Sequence, residues 1–153
     1  MALLSFLVGF VDGLRSLTAP AILCWAAHLG WLHFAGTRFA FIDHPVTRTV
    51  FTLLALAELV VDKLPNTPPR TAPVGLIARI VLGGASGLAF ATAAGISMPL
   101  AGAVASVGAI AGAFAGYYIR RAVVFRAHLP DLIVAIAEDV IAIASGLLIV
   151  SHV

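Results

Sequence analysis

Apolar residues fill this chain in long blocks, separated by short polar clusters rather than alternating with polar positions. Such a pattern reads as a series of buried or membrane-spanning helices, since a spanning helix needs ~20 predominantly apolar residues. The first block, Leu3 to Phe34, is too long for one simple span. It is interrupted by Asp12, Gly13, Arg15 and Thr18-Ala19-Pro20. Thr18 suits an N-cap and Pro20 a first helical turn. The pattern therefore predicts a short piece over 3–15, either spanning or re-entrant, followed by a helix over 19–34. A polar loop is expected over 35–47 and a second helix over 48–64. The segment Lys63-Leu64-Pro65-Asn66-Thr67-Pro68-Pro69-Arg70 reads as a rigid turn. A third helix is expected over 71–95, a tight turn at Ser97-Met98-Pro99, a fourth helix over 100–121 and a loop over 122–130. A fifth helix follows over 131–150. The predicted fold class is an all-α polytopic transmembrane bundle of about five spanning helices plus the short N-terminal piece, in a single domain over 1–153.

Composition supports the membrane reading. The 153 residues are 61% hydrophobic and 10% charged, against ~45–50% and ~25% in a soluble domain. Mean hydropathy is +1.09. A net charge of +2 gives no basic surface for nucleic acid. The apolar N-terminus lacks the basic n-region of a signal peptide and is expected to be retained. Cys24 is the single cysteine, which excludes an internal disulfide and fits an inert thiol in an apolar segment. Lys63, Arg70, Arg120, Arg121 and Arg126 collect at one set of helix ends, Arg38 and Arg48 at the other. The first set should face the cytoplasm, which suits a bacterial inner membrane. The N-terminus then lies inside if the first segment crosses once.

Carboxylates inside the apolar blocks carry the chemistry. Residues 55–62 read Ala-Leu-Ala-Glu-Leu-Val-Val-Asp and residues 135–142 read Ala-Ile-Ala-Glu-Asp-Val-Ile-Ala. At 1.5 Å per residue, Glu58 lies roughly 8 Å from its helix end, Glu138 roughly 10 Å and Arg79 roughly 12 Å. Three helices thus place charges at one level. A central charge costs at least ~2.5–3.5 kcal/mol on insertion scales, so these groups should cluster. Arg79, with Arg15, is the expected counter-charge for Glu58, Glu138 and Asp139, with Asp62 one turn from Glu58 as a secondary group. Asp12 and Arg15, three apart, could neutralise each other. The two phrases sit on helices expected to run antiparallel. With the echo of Gly9-x-x-x-Gly13-x-Arg15 in Gly112-x-x-x-Gly116 before Arg120, they suggest an inverted repeat.

Gly108-x-x-x-Gly112-x-x-x-Gly116, flanked by Ala105, Ala109 and Ala113, predicts close backbone packing, against another helix of this chain or against a second copy in a homo-oligomer. The five histidines show no metal spacing with acidic partners, and no cofactor is expected. No phosphate loop, Ser nucleophile motif or Cys pair occurs.

Three functions compete. The first is a transporter or channel-like protein in which Glu58 and Glu138 form a polar site for a small solute, ion or proton, because intramembrane ionisable groups mark pathways. The second is a non-transporting scaffold or lipid-binding subunit whose ion pairs fix helix register. The third, a membrane enzyme acting on a lipid head group near Lys63–Arg70, lacks a nucleophile–base pair. The same basic turn could hold a lipid phosphate.

Gly13-Leu14-Arg15-Ser16-Leu17-Thr18, Glu58-Leu59-Val60-Val61-Asp62-Lys63-Leu64-Pro65, Thr67-Pro68-Pro69-Arg70-Thr71, Gly108–Gly116 and Glu138-Asp139 together resemble a family of small bacterial membrane proteins classed as a domain of unknown function. The resemblance covers nearly the whole chain, and the Asp-Lys-Leu-Pro turn is its most specific part. It implies a polytopic membrane fold and no substrate.

Overall fold

The computed structural model describes residues 2–64, 66–95, 100–128 and 130–152. They form six α-helices: α1 (Ala2–Leu14), α2 (Thr18–His28), α3 (Pro45–Val61), α4 (Pro73–Ala93), α5 (Ala101–Ala127) and α6 (Asp131–Val150). A short 3-10 helix, Ala40–Asp43, lies between α2 and α3. No strand occurs among the described residues. The expected turn at Ser97-Met98-Pro99 and Pro65 of the proline-rich turn lie outside the described residues. Three helices, α4, α5 and α6, are long and apolar enough to cross a membrane. With 17 residues, α3 sits at the lower end of the ~17–25 range for a span, and α1 and α2 fall below it.

The second helix of the first block stops six residues earlier than expected. Gly30 takes the left-handed region at φ 75°, its N–H donates to Ala27 O at 3.0 Å, and the Trp31 N–H donates to Ala26 O at 2.9 Å. This is a Schellman ending. The chain beyond folds back over the end of α2, burying Leu32, Phe34 and Ile42. At the other extreme, α5 runs past Arg120-Arg121 to Ala127 and ends where His128 adopts φ 52°.

In the first block α1 and α2 form a helical hairpin. Val11 of α1 and Ile22 of α2 both bound the space at Gly146 of α6, so they lie at one level while the chain turns between them. The turn is tight: Arg15 N–H donates to Val11 O at 2.8 Å and Thr18 N–H to Arg15 O at 3.3 Å. Of the two alternatives for the short N-terminal piece, spanning or re-entrant, the hairpin has the shape of the re-entrant one; Ala2 and His28 lie at the same end of the bundle. Gly13 beside Arg15-Ser16-Leu17 and the first-turn Pro20 interrupt the helix here.

Small residues set the rest of the packing. Ala101, Ala105, Ala109 and Ala113 are completely buried. A Cβ at Gly108 or Gly112 of α5 would strike the Phe6 or Phe10 carbonyl of α1, and one at Gly83 or Gly87 of α4 would strike Ala109 or Ala105 of α5. The glycine motif therefore receives α1 of the same chain on one face and neighbours α4 on another. Large apolar residues such as Leu53, Val81, Val107, Ile141 and Leu148 point outward, while Ser5, Asp12, Arg15, Thr18, Arg79, Ser86 and Asp139 are buried. Small and polar residues inside with large apolar ones outside suit a helical bundle surrounded by lipid.

Register along these contacts gives direction. Gly9 meets Ala105 and Gly13 meets Ala109, so α1 and α5 run parallel. Glu58 reaches Leu17 while Trp25 Nε1 donates to Thr52 Oγ1 at 3.0 Å, so α3 runs antiparallel to α2, toward the hairpin tip; α6 runs away from it. The Glu-bearing helices α3 and α6 are thus antiparallel, as an inverted repeat requires. The glycine echo sits on parallel helices, which one inverting axis does not relate.

Candidate functional site: charges around the hairpin tip

The tip of the hairpin exposes two helix ends inside the bundle. The last carbonyls of α1 and the first N–H groups of α2 have no intrahelical partners, and the helix dipoles place partial negative charge at the former and positive charge at the latter. Side chains from elsewhere meet both. Glu58 Oε1 accepts from the Ser16 N–H at 2.8 Å and the Ser16 hydroxyl at 2.6 Å, and Oε2 accepts from the Leu17 N–H at 2.9 Å. The carboxylate of α3 thereby occupies the anion seat at the start of α2. On the other side, Arg70 Nη1 donates to Leu14 O at 3.2 Å, at the end of α1.

Around this tip the charges form one network. Arg15, fully buried, reaches three carboxylates: it pairs with Asp62, approaches Asp139 Oδ1 at 2.5 Å, and lies 3.9 Å from Glu138 Oε2. Lys63 Nζ contacts Asp139 Oδ2 at 2.5 Å. Arg70 clasps Glu138 through both nitrogens, with Nη2 to Oε2 at 2.8 Å. Arg120 holds Asp131 bidentately, at 2.9 and 2.7 Å. Gly116 belongs here as well: a Cβ would lie 2.6 Å from Arg70 Nη1 and 2.8 Å from Glu138 Oε1. Its missing side chain makes room for that pair.

All six charged residues expected at the site, Glu58, Glu138, Asp62, Asp139, Arg79 and Arg15, are brought together. Their partnership differs from the expectation. Arg79 lies 3.7 Å from Glu58 and donates to Gly75 O at 3.1 Å; Glu138 is matched by Arg70 instead. Arg15 and Asp12 do not pair, because Arg15 points into the carboxylates of α3 and α6. Sequence reasoning passed over Ser16, Lys63, Arg70, Arg120 and Asp131 as site members. The signal for Ser16 and Arg70 was the broken helix itself, whose ends had to be capped by something.

Asp12 stands apart. It is completely buried, one turn before Arg15, and neither oxygen has a hydrogen-bond partner among the described residues. Gly83 and Ser86 are buried on α4, and a Cβ at Gly83 would lie 3.5 Å from Asp12 Cβ.

Beyond the paired charges lies an open basin of about 660 Å³, bounded by the proline-rich turn and by Tyr117, Arg120, Arg121, Phe125 and Asp131. Among the described residues no three His, Cys, Asp or Glu side chains are placed to hold a metal ion, and Cys24 is buried.

The chain belongs to the family described as Domain of unknown function (DUF4126), whose model matches residues 2–152. No curated protein and no solved structure matches it.

Proposed function

We propose that this protein is a small transporter or channel-like protein of the bacterial inner membrane, moving a small solute, ion or proton past the charged hairpin tip. The observation that carries the proposal is the break in the helix at Arg15–Leu17, inside the bundle and ringed by charge. Non-helical backbone at membrane depth is tolerated where protein buries it or where it lines a cavity. Half-helix ends aimed at ions and substrates are the recurring device of transporters. In this proposal α3 is a fourth span, the basic end with its basin faces the cytoplasm, and Glu58 is a releasable plug in the anion seat of α2. Asp12 supports the same reading, since a fully buried carboxylate with no cation within 4.0 Å among the described residues calls for an explanation that helix pairing does not supply.

A specific observation favours the scaffold alternative: every acidic side chain of the network has a cationic neighbour within 4.0 Å, as a device for fixing helix register would. Flux separates the two. Purified protein in proteoliposomes is expected to pass protons or a small charged solute, and Glu58→Gln and Glu138→Gln are expected to cut the rate about tenfold or more while the variants stay folded. Unchanged flux in folded variants would leave the scaffold reading standing.

A further inference from the structure

An apolar groove of about 330 Å³ runs down the outside of the bundle between α5 and α6, floored by Phe10 and Leu14 of α1 and walled by Ile119, Val123, Ile133 and Ile141. Its volume falls in the ~300–1,000 Å³ range of ligand pockets. Arg120 and Glu138 are the charged residues in its lining, and Arg120 is shared with the basin at the end of the bundle. The apolar groove and the charged basin therefore meet at Arg120, whose guanidinium is held by Asp131. Lys63, Arg70, Arg120 and Arg121 face the basin against the carboxylates of Asp62 and Asp131. Arg121 is exposed, stacks over Phe125 at 5.9 Å, and has no carboxylate within 4.0 Å among the described residues.

The position along the membrane normal agrees. With 27 residues, α5 is about 40 Å long, against a hydrocarbon core of ~30 Å. The excess of about 10 Å lets one end of α5 reach the headgroup layer. With the C-terminal end there, Arg121 and Phe125 meet the headgroups, and the part of the groove around Phe10, Ala115 and Ile141 lies at hydrocarbon depth.

We infer that this surface binds one anionic phospholipid, an acyl chain in the α5–α6 groove and the phosphate against Arg121, beside the Arg120–Asp131 pair. Cationic pockets between helices recognise anionic headgroups by charge and the chain by apolar contact. The inference does not rest on transport: a protein that moves nothing could hold the same lipid. The groove is apolar and faces the bilayer, so a lipid, rather than a free anion, is the ligand that uses both parts.

The test is native mass spectrometry of the purified full chain released from neutral detergent, with phosphatidylglycerol, phosphatidylcholine and inorganic phosphate as probes. Phosphatidylglycerol should be retained at least about tenfold better than phosphatidylcholine. Arg121→Gln should lower that retention about fivefold, the effect of one surface cation, and Arg121→Lys should restore it. Ala137→Trp, filling the groove from an exposed position, should lower lipid retention with no effect on phosphate. Equal retention of the two lipids would overturn the inference. So would loss of phosphatidylglycerol to equimolar phosphate with Ala137→Trp silent, which marks a free-anion site, or no retention at all. Both positions are exposed, and thermal melts of the variants confirm that any loss is of binding and not of fold.

Discussion

Glu58 alone meets the donors on the N–H side of the hairpin tip among the described residues. Its carboxylate takes two backbone N–H groups and one hydroxyl at the start of α2, and no other acceptor reaches them among the described residues. Glu58→Ala leaves those donors unpaired beside Arg79, and the expected loss is ~3–5 kcal/mol. Glu58→Gln keeps one acceptor oxygen and should lose ~1–2 kcal/mol. Denaturant titration of the detergent-solubilised protein, followed by helical circular dichroism, checks both. Arg70 and Glu138 make the complementary case. Leu at either position strands a buried charge and should cost ~3–5 kcal/mol, whereas the double substitution should cost less than the sum of the singles by ~1 kcal/mol or more. A double-mutant cycle in the same titration reads that coupling directly. Additive losses would show that the bidentate clasp contributes nothing as a pair.

At the scale of elements, the central contact is the crossing of α1 with α5. A Cβ on Gly13 would sit 2.7 Å from Ala113 N and 2.8 Å from Gly112 Cα, so the two backbones touch. Gly13→Ala should cost ~1–3 kcal/mol through forced separation of the helices. Gly36→Ala is the contrast: its φ is 75° with nothing within 4 Å, so only the left-handed backbone strain of ~1–2 kcal/mol applies, and the helix contact is untouched. With Cys24 replaced by alanine, the distance between spin labels on cysteines at the exposed Leu3 and Val107 should increase for Gly13→Ala and not for Gly36→Ala. An equal distance in both variants would count against the crossing. The sequence made α4 and α6 legible to within about two residues, because their apolar runs are broken by charge only at Arg79 and at Glu138-Asp139, and Pro73 and Pro130-Asp131 mark their starts. It also made legible which charges share a level, since depth follows from rise per residue. Pairing was not legible. Arg70 sits in a proline-rich turn with no helical periodicity to place it, and Arg79 and Arg70 are chemically interchangeable as partners for Glu138 until the turn is folded. The end of α2 at His28 depended on Gly30 taking the left-handed region, which apolar residues on either side conceal.

At the scale of the whole molecule, a hairpin of two short helices is inserted into a bundle of longer ones, and its tip gathers the charges into one cluster above an open basin. The transport proposal depends on α1 and α2 leaving on the side where α1 began. The test is cysteine accessibility in intact membrane vesicles of known orientation. Cys24 is replaced by alanine, and single cysteines are placed at Ala2, Gly36 and Thr67, all outside the packed core or at its ends. A membrane-impermeant maleimide should label positions 2 and 36 from one side and position 67 only from the other. Labelling of positions 2 and 36 from opposite sides would mean that the first block crosses the membrane once, and would contradict the hairpin and the site built on its tip.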